Sequence, residues 1–123
     1  MTTSPALTEH VAVLLTWLDA NNPRTDHEIS MRVMKVGEEF GEVVSAYIGM
    51  NGQNPSKGHT RAEVSGELCD VIVSALIALA TITGDAHTAN AALNDHVAHR
   101  SPHLLKLIKS AKAARLPDPA PAP

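Results

Sequence analysis

Leu7, Val11, Leu14, Leu15 and Leu18 recur three and four residues apart, the spacing that lines one side of an α-helix. Ser4-Pro5 sets a cap residue before proline at a first helical position, and Asn21-Asn22-Pro23 stops the run, so a first helix is predicted between them. Ile29, Val33, Val36, Phe40, Val43, Val44, Tyr47 and Ile48 form a wide apolar stripe that predicts a second helix from Asp26 to Ile48, ending at Gly49. Thr25-Asp-His-Glu28 matches a capping box, with Thr25 accepting from a first-turn amide and Glu28 reaching back. A second box, Thr60-Arg-Ala-Glu63, opens a third helix over 61–83, closed by Gly84. After Asp70 this helix reads Val-Ile-Val-Ser-Ala-Leu-Ile-Ala-Leu-Ala, apolar nearly all round, which describes a central helix packed on several sides. Asp85 caps a fourth helix, Ala86 to His99, with Ala89, Leu93 and Val97 inward. Ser101-Pro102 is expected to break it and begin a fifth segment, with Leu104, Leu105, Leu107 and Ile108 apolar and Lys106, Lys109, Lys112 and Arg115 basic.

Composition sharpens this into an all-α bundle of four or five helices. The chain has 123 residues and 44% hydrophobic content, enough for one core, yet Trp17, Phe40 and Tyr47 are its only aromatic residues. Such an aliphatic, alanine-rich core suits helices better than sheets, where β-branched and aromatic residues concentrate. Residues 1–116 read as a single domain and 117–123 as a disordered proline-rich tail. A net charge of −3 without a long basic run argues against nucleic acid or an anionic membrane as partner. Cys69 is the sole cysteine, so no intrachain disulfide forms. The first ten residues lack a signal-peptide pattern, and the apolar run from Val71 to Ile82 is short for a bilayer span. The expectation is a soluble, cytoplasmic protein.

Candidate chemistry centres on two acidic stretches. Glu39 with Glu42, and Glu67 with Asp70, stand three residues apart, so each pair shares a helix face. If the two helices pack antiparallel, four carboxylates meet, and their repulsion by several kcal/mol calls for a cation. Oxygen ligands without Cys or His favour magnesium, with manganese as the alternative. Gly37 and Gly41 weaken the second helix unless something must approach closely there. Lys35, one turn before Glu38 and Glu39, has two roles open to it, an ion pair with them or a contact to phosphate. Trp17 also has two, a core or interface residue or a platform for a nucleobase. Lys57 and His59 lie in a glycine-rich connection that could fold over a ligand. His96, His99 and His103 have metal-like spacing, with Pro102 expected to interrupt it.

Glu38-Glu39-x-x-Glu42, a gap of 24 residues and then Glu67-x-x-Asp70 resembles the acidic signature of the all-α nucleoside triphosphate pyrophosphohydrolases, the MazG-like superfamily. The resemblance covers roughly Asp26 to Ile82. It implies a helical bundle that forms a homodimer or tetramer, magnesium between the acidic helices, and hydrolysis of a nucleoside triphosphate to a monophosphate and pyrophosphate, with nucleotide-pool cleansing as a purpose. By the same resemblance Glu39, Glu42, Glu67 and Asp70 are metal ligands, and Glu38 orients or deprotonates the attacking water. Members often carry a lysine and an arginine after the second motif; here that stretch offers Asn94, His96, His99 and Arg100, of which Arg100 is the phosphate candidate. Two other readings stay open, a phosphoribosyl-ATP pyrophosphohydrolase and a non-catalytic helical nucleotide-binding or regulatory module.

Overall fold

The computed structural model describes residues 5–51 and 60–114. The connection holding Lys57 and His59, the proline-rich tail, Ser4 and Arg115 lie outside these. Four helices and no strand occur among the described residues: α1 (Pro5–Asn21), α2 (Asp26–Met50), α3 (Arg61–Thr83) and α4 (Ala86–Ala113). The protein is therefore all-α.

Local chemistry sets most of the helix ends. Thr60 accepts from the Glu63 amide at 3.2 Å while the Glu63 carboxylate accepts from the Thr60 amide at 3.4 Å, a complete capping box for α3. Asp85 caps α4 by accepting from the Thr88 amide at 2.7 Å. At α2 only half of the expected box forms. Thr25 accepts from the Glu28 amide at 3.1 Å, but the Glu28 carboxylate accepts from Arg32 Nε at 2.9 Å instead of reaching back. A guanidinium one turn onward is a stronger partner than a neutral amide.

The break expected at Pro102 does not occur; α4 runs through it for 28 residues. Proline removes the bond to the Ala98 carbonyl, but residues 98 to 110 are all exposed, so water satisfies that group. The Ser101 hydroxyl donates to the Val97 carbonyl at 2.9 Å in the same turn. His96, His99 and His103 thus share one helix, and they do not converge as a metal site among the described residues.

The core belongs to α1, α3 and the start of α4. Val11, Leu15, Leu76, Ile77, Ala80, Ala86 and Ala89 form its buried centre, and α2 contributes nothing to it. Instead, among the described helices, α2 packs on α3 alone, presenting Val43, Ala46 and Gly49, while α1 and α4 pack on α3 and on each other. The stripe expected to bury α2 is consequently divided. Phe40 is 59% exposed and Tyr47 52%, with Val33 and Val44 exposed as well. By length and apolar composition α3 could cross a bilayer; here it is the helix on which the other three pack.

Beneath the α2–α3 pair lies a polar knot. Arg32, 5% exposed, donates from Nη1 to Asp19 Oδ1 at 2.9 Å and to the Thr81 hydroxyl at 3.1 Å, and from Nη2 to the Asn22 carbonyl at 3.2 Å. Arg24 grips Asp19 with Nε and Nη2 at 2.9 and 2.8 Å and donates to the Gly84 carbonyl at 2.9 Å. This joins the end of α1, the start of α2 and the end of α3.

Candidate metal centre and adjoining cleft

α2 and α3 run antiparallel, which sets the middle of one acidic stretch beside the other. Glu39 points from α2 toward α3, and its carboxylate lies with those of Glu67 and Asp70, all within 4.8 Å of one another. Glu39 and Glu67 are half-buried and Asp70 is exposed. The acidic pair of α3 therefore sits in the first half of the helix, ahead of its buried residues Leu76, Ile77, Ala78, Ala80 and Thr81. Glu42 is exposed and is not among the converging three. Glu38 is exposed and pairs with Lys35.

Lys35 Nζ lies 3.3 Å from both Glu38 and Glu39, the ion-pair role. Its hydrogen bonds to Glu39 and then Glu38 raise the ammonium above its ordinary value of 10.5, so it stays charged across the neutral range. Among the described residues no ion pair reaches Glu67 or Asp70.

A cleft of about 570 Å³ opens between α1 and α2 with α3 as its floor. Leu14, Leu18, Met31, Met34, Val73 and Ile77 form apolar walls, and Lys35 and Glu38 stand on its margin. Since Lys35 also holds Glu39, cleft and acidic triad share one edge. The size suits a small organic ligand. Trp17 is not part of this cleft; it is 62% exposed in a separate groove along α1 with Val13 and Ala20. Arg100 stands on α4 beside His96 and Leu104, in a groove lined by α4 residues.

The thioether wall of Met31 and Met34 and the buried Arg32 were not singled out in the sequence. Glu28 and Arg32, four residues apart, were the available signal for the latter. For the former there was none, because both methionines fall outside the apolar stripe.

Fold and site together define an all-α protein with an acidic triad between two antiparallel helices. Compared with known proteins, the chain matches no family model, no curated protein and no solved structure.

Proposed function

We propose that the chain is a magnesium-dependent nucleoside triphosphate pyrophosphohydrolase of the MazG-like kind, acting between the α and β phosphates. The observation that carries this reading is the meeting of Glu39, Glu67 and Asp70 within 4.8 Å. The donor set fits the ion: three hard oxygen ligands, two of them without a basic partner among the described residues, favour magnesium or manganese. When bound, magnesium supplies positive charge against phosphate oxygens and makes a nearby water more acidic.

The chain's own groups divide the remaining work. The apolar cleft receives the nucleoside and leaves its phosphates at the Lys35 margin. Lys35 holds Glu38 and Glu39 in position. Glu38, whose side chain is 63% exposed, is the carboxylate available to orient the attacking water. The water oxygen bonds to the α phosphorus as the bond from that phosphorus to the bridging oxygen breaks. The bridging oxygen leaves with pyrophosphate, and the water proton passes to Glu38 and on to solvent.

The test is release of pyrophosphate and monophosphate from a panel of standard and modified nucleoside triphosphates, ribo and deoxy, with magnesium. Glu39→Gln and Asp70→Asn should each lower turnover on the order of 100-fold or more while the helical signal stays. Full activity in both variants would remove the site. Silence across the panel with magnesium and then manganese would overturn the hydrolase.

A further inference from the structure

The charges of this chain are segregated along it. Of 13 acidic residues only Asp118 lies beyond Asp95, whereas Arg100, Lys106, Lys109, Lys112 and Arg115 make up half of the 10 basic residues. The net charge of −3, which argues against an anionic surface for the chain as a whole, is therefore an average over an acidic body and a basic end. From His96 to Pro117 there is no carboxylate at all.

Most of that basic end is a helical arm. The buried residues of α4 are Ala86 and Ala89, and every residue from 98 to 110 is exposed, among them Leu104 at 57%, Leu105 at 65%, Leu107 at 54% and Ile108 at 46%. At about 100° per residue these four aliphatic side chains gather on one side of the helix, and Lys106 and Lys109 fall in the opposite half. Arg100 and Lys112 stand about 60° to either side of the middle of the apolar face, where a long stem can lie on an apolar surface while its charge reaches water or phosphate. The exposed stretch is about 20 Å long, short of the roughly 30 Å core of a bilayer. An amphipathic helix of this kind lies along a membrane surface and does not cross it.

We propose that the α4 arm, Ala98 to Ala113, is a docking surface for an anionic phospholipid bilayer. It lies flat, with Leu104, Leu105, Leu107 and Ile108 at the acyl-chain boundary and Arg100, Lys106, Lys109 and Lys112 among the headgroup phosphates. Composition separates this occupant from a protein. Specific protein interfaces gather aromatic residues, methionine and arginine and avoid lysine, whereas residues 96–114 hold three lysines and one arginine with no methionine and no Trp, Tyr or Phe. A nucleic acid would meet the lysines but leave the leucines in water. An anionic bilayer covers both halves of the arm, lipid tails under the apolar face and phosphate beside the basic one. The same surface repels the acidic remainder of the chain, which confines the contact to the arm.

Co-sedimentation of the full chain with vesicles tests this. Phosphatidylcholine vesicles that contain phosphatidylserine should bind it about tenfold or more tightly than phosphatidylcholine alone, and added salt should weaken that binding. Lys106→Glu with Lys109→Glu, and separately Leu104→Ser with Ile108→Ser, should each reduce the binding about tenfold or more. All four positions are exposed, so the helical signal should stay. In the wild-type chain, anionic vesicles should slow hydrogen exchange in residues 98–113. No preference for the anionic vesicles, indifference to both double variants, or protection that falls outside the arm would overturn the proposal. So would an arm that takes up RNA or an acidic peptide and ignores vesicles. None of these readouts depends on turnover, so an inactive protein that still binds vesicles through the arm refutes the hydrolase and not the docking surface.

Discussion

Asp19 concentrates much of what joins the helices into one body. Its carboxylate accepts three bonds, two from Arg24 and one from Arg32, and the side chain remains 35% exposed. The Arg24 bonds, opposed by partial burial and helped by Arg32, hold it below its ordinary value of 3.8. A carboxyl depressed on folding adds stability that is fully present above its unfolded value, about 3.9, and is lost as pH falls through the folded one. Asp19→Asn should therefore lower the melting temperature near neutrality by a few degrees, on the order of 1 kcal/mol for so exposed a pair. Below about pH 4 the gap to wild type should close. Thermal unfolding from pH 7 to 2 checks this, and parallel curves would show that Asp19 does not anchor the knot.

At the scale of elements, caps and termini were the legible part, because they are local chemistry. Thr60 with Glu63 at α3, Asp85 at α4 and Gly84 after α3 act where the sequence puts them, and Gly84 adopts a φ of +121° that side chains avoid. What covers a helix face was not legible. The apolar stripe of α2 predicts burial, yet a stripe records only that something must cover it, and among the described helices only α3 does. The acidic site was half legible for a related reason: i, i+3 spacing puts Glu39 and Glu42 on one face, but helix rotation against α3 takes Glu39 in and leaves Glu42 out. Gly37 and Gly41 sharpen the point, since close approach was expected and, among the described residues, a Cβ at either would meet nothing within 4 Å. In a dilute, monomeric sample Gly41→Ala should therefore stabilise α2 by about 0.5–1 kcal/mol. Denaturant unfolding at low protein concentration reads it directly. A loss of stability there would mean that the face is already occupied.

The whole molecule is uneven, firm at one end and open at the other. The firm end combines the apolar cluster of α1, α3 and α4 with the arginine knot, and only Ala80 and Ala89 fall to 0 and 1% exposure. The open end is a two-helix hairpin, and it carries the acidic triad. Helical pairs without a third layer open locally at low cost, so backbone amides there should exchange far sooner than those of residues 76–81. An ion held by Glu39, Glu67 and Asp70 would bind only the closed hairpin and would stabilise it by mass action, by about 2.7 kcal/mol at a hundredfold excess over its Kd. Magnesium should accordingly slow exchange in residues 38–46 and 61–72 by about a hundredfold at that excess, while residues 76–81, limited by opening of the core, change less. Hydrogen exchange followed by mass spectrometry, with and without magnesium at one protein concentration, separates the two ends. Equal protection along the chain would mean that the ion acts elsewhere, whereas protection confined to the hairpin would tie metal binding to the part of the fold the core does not hold.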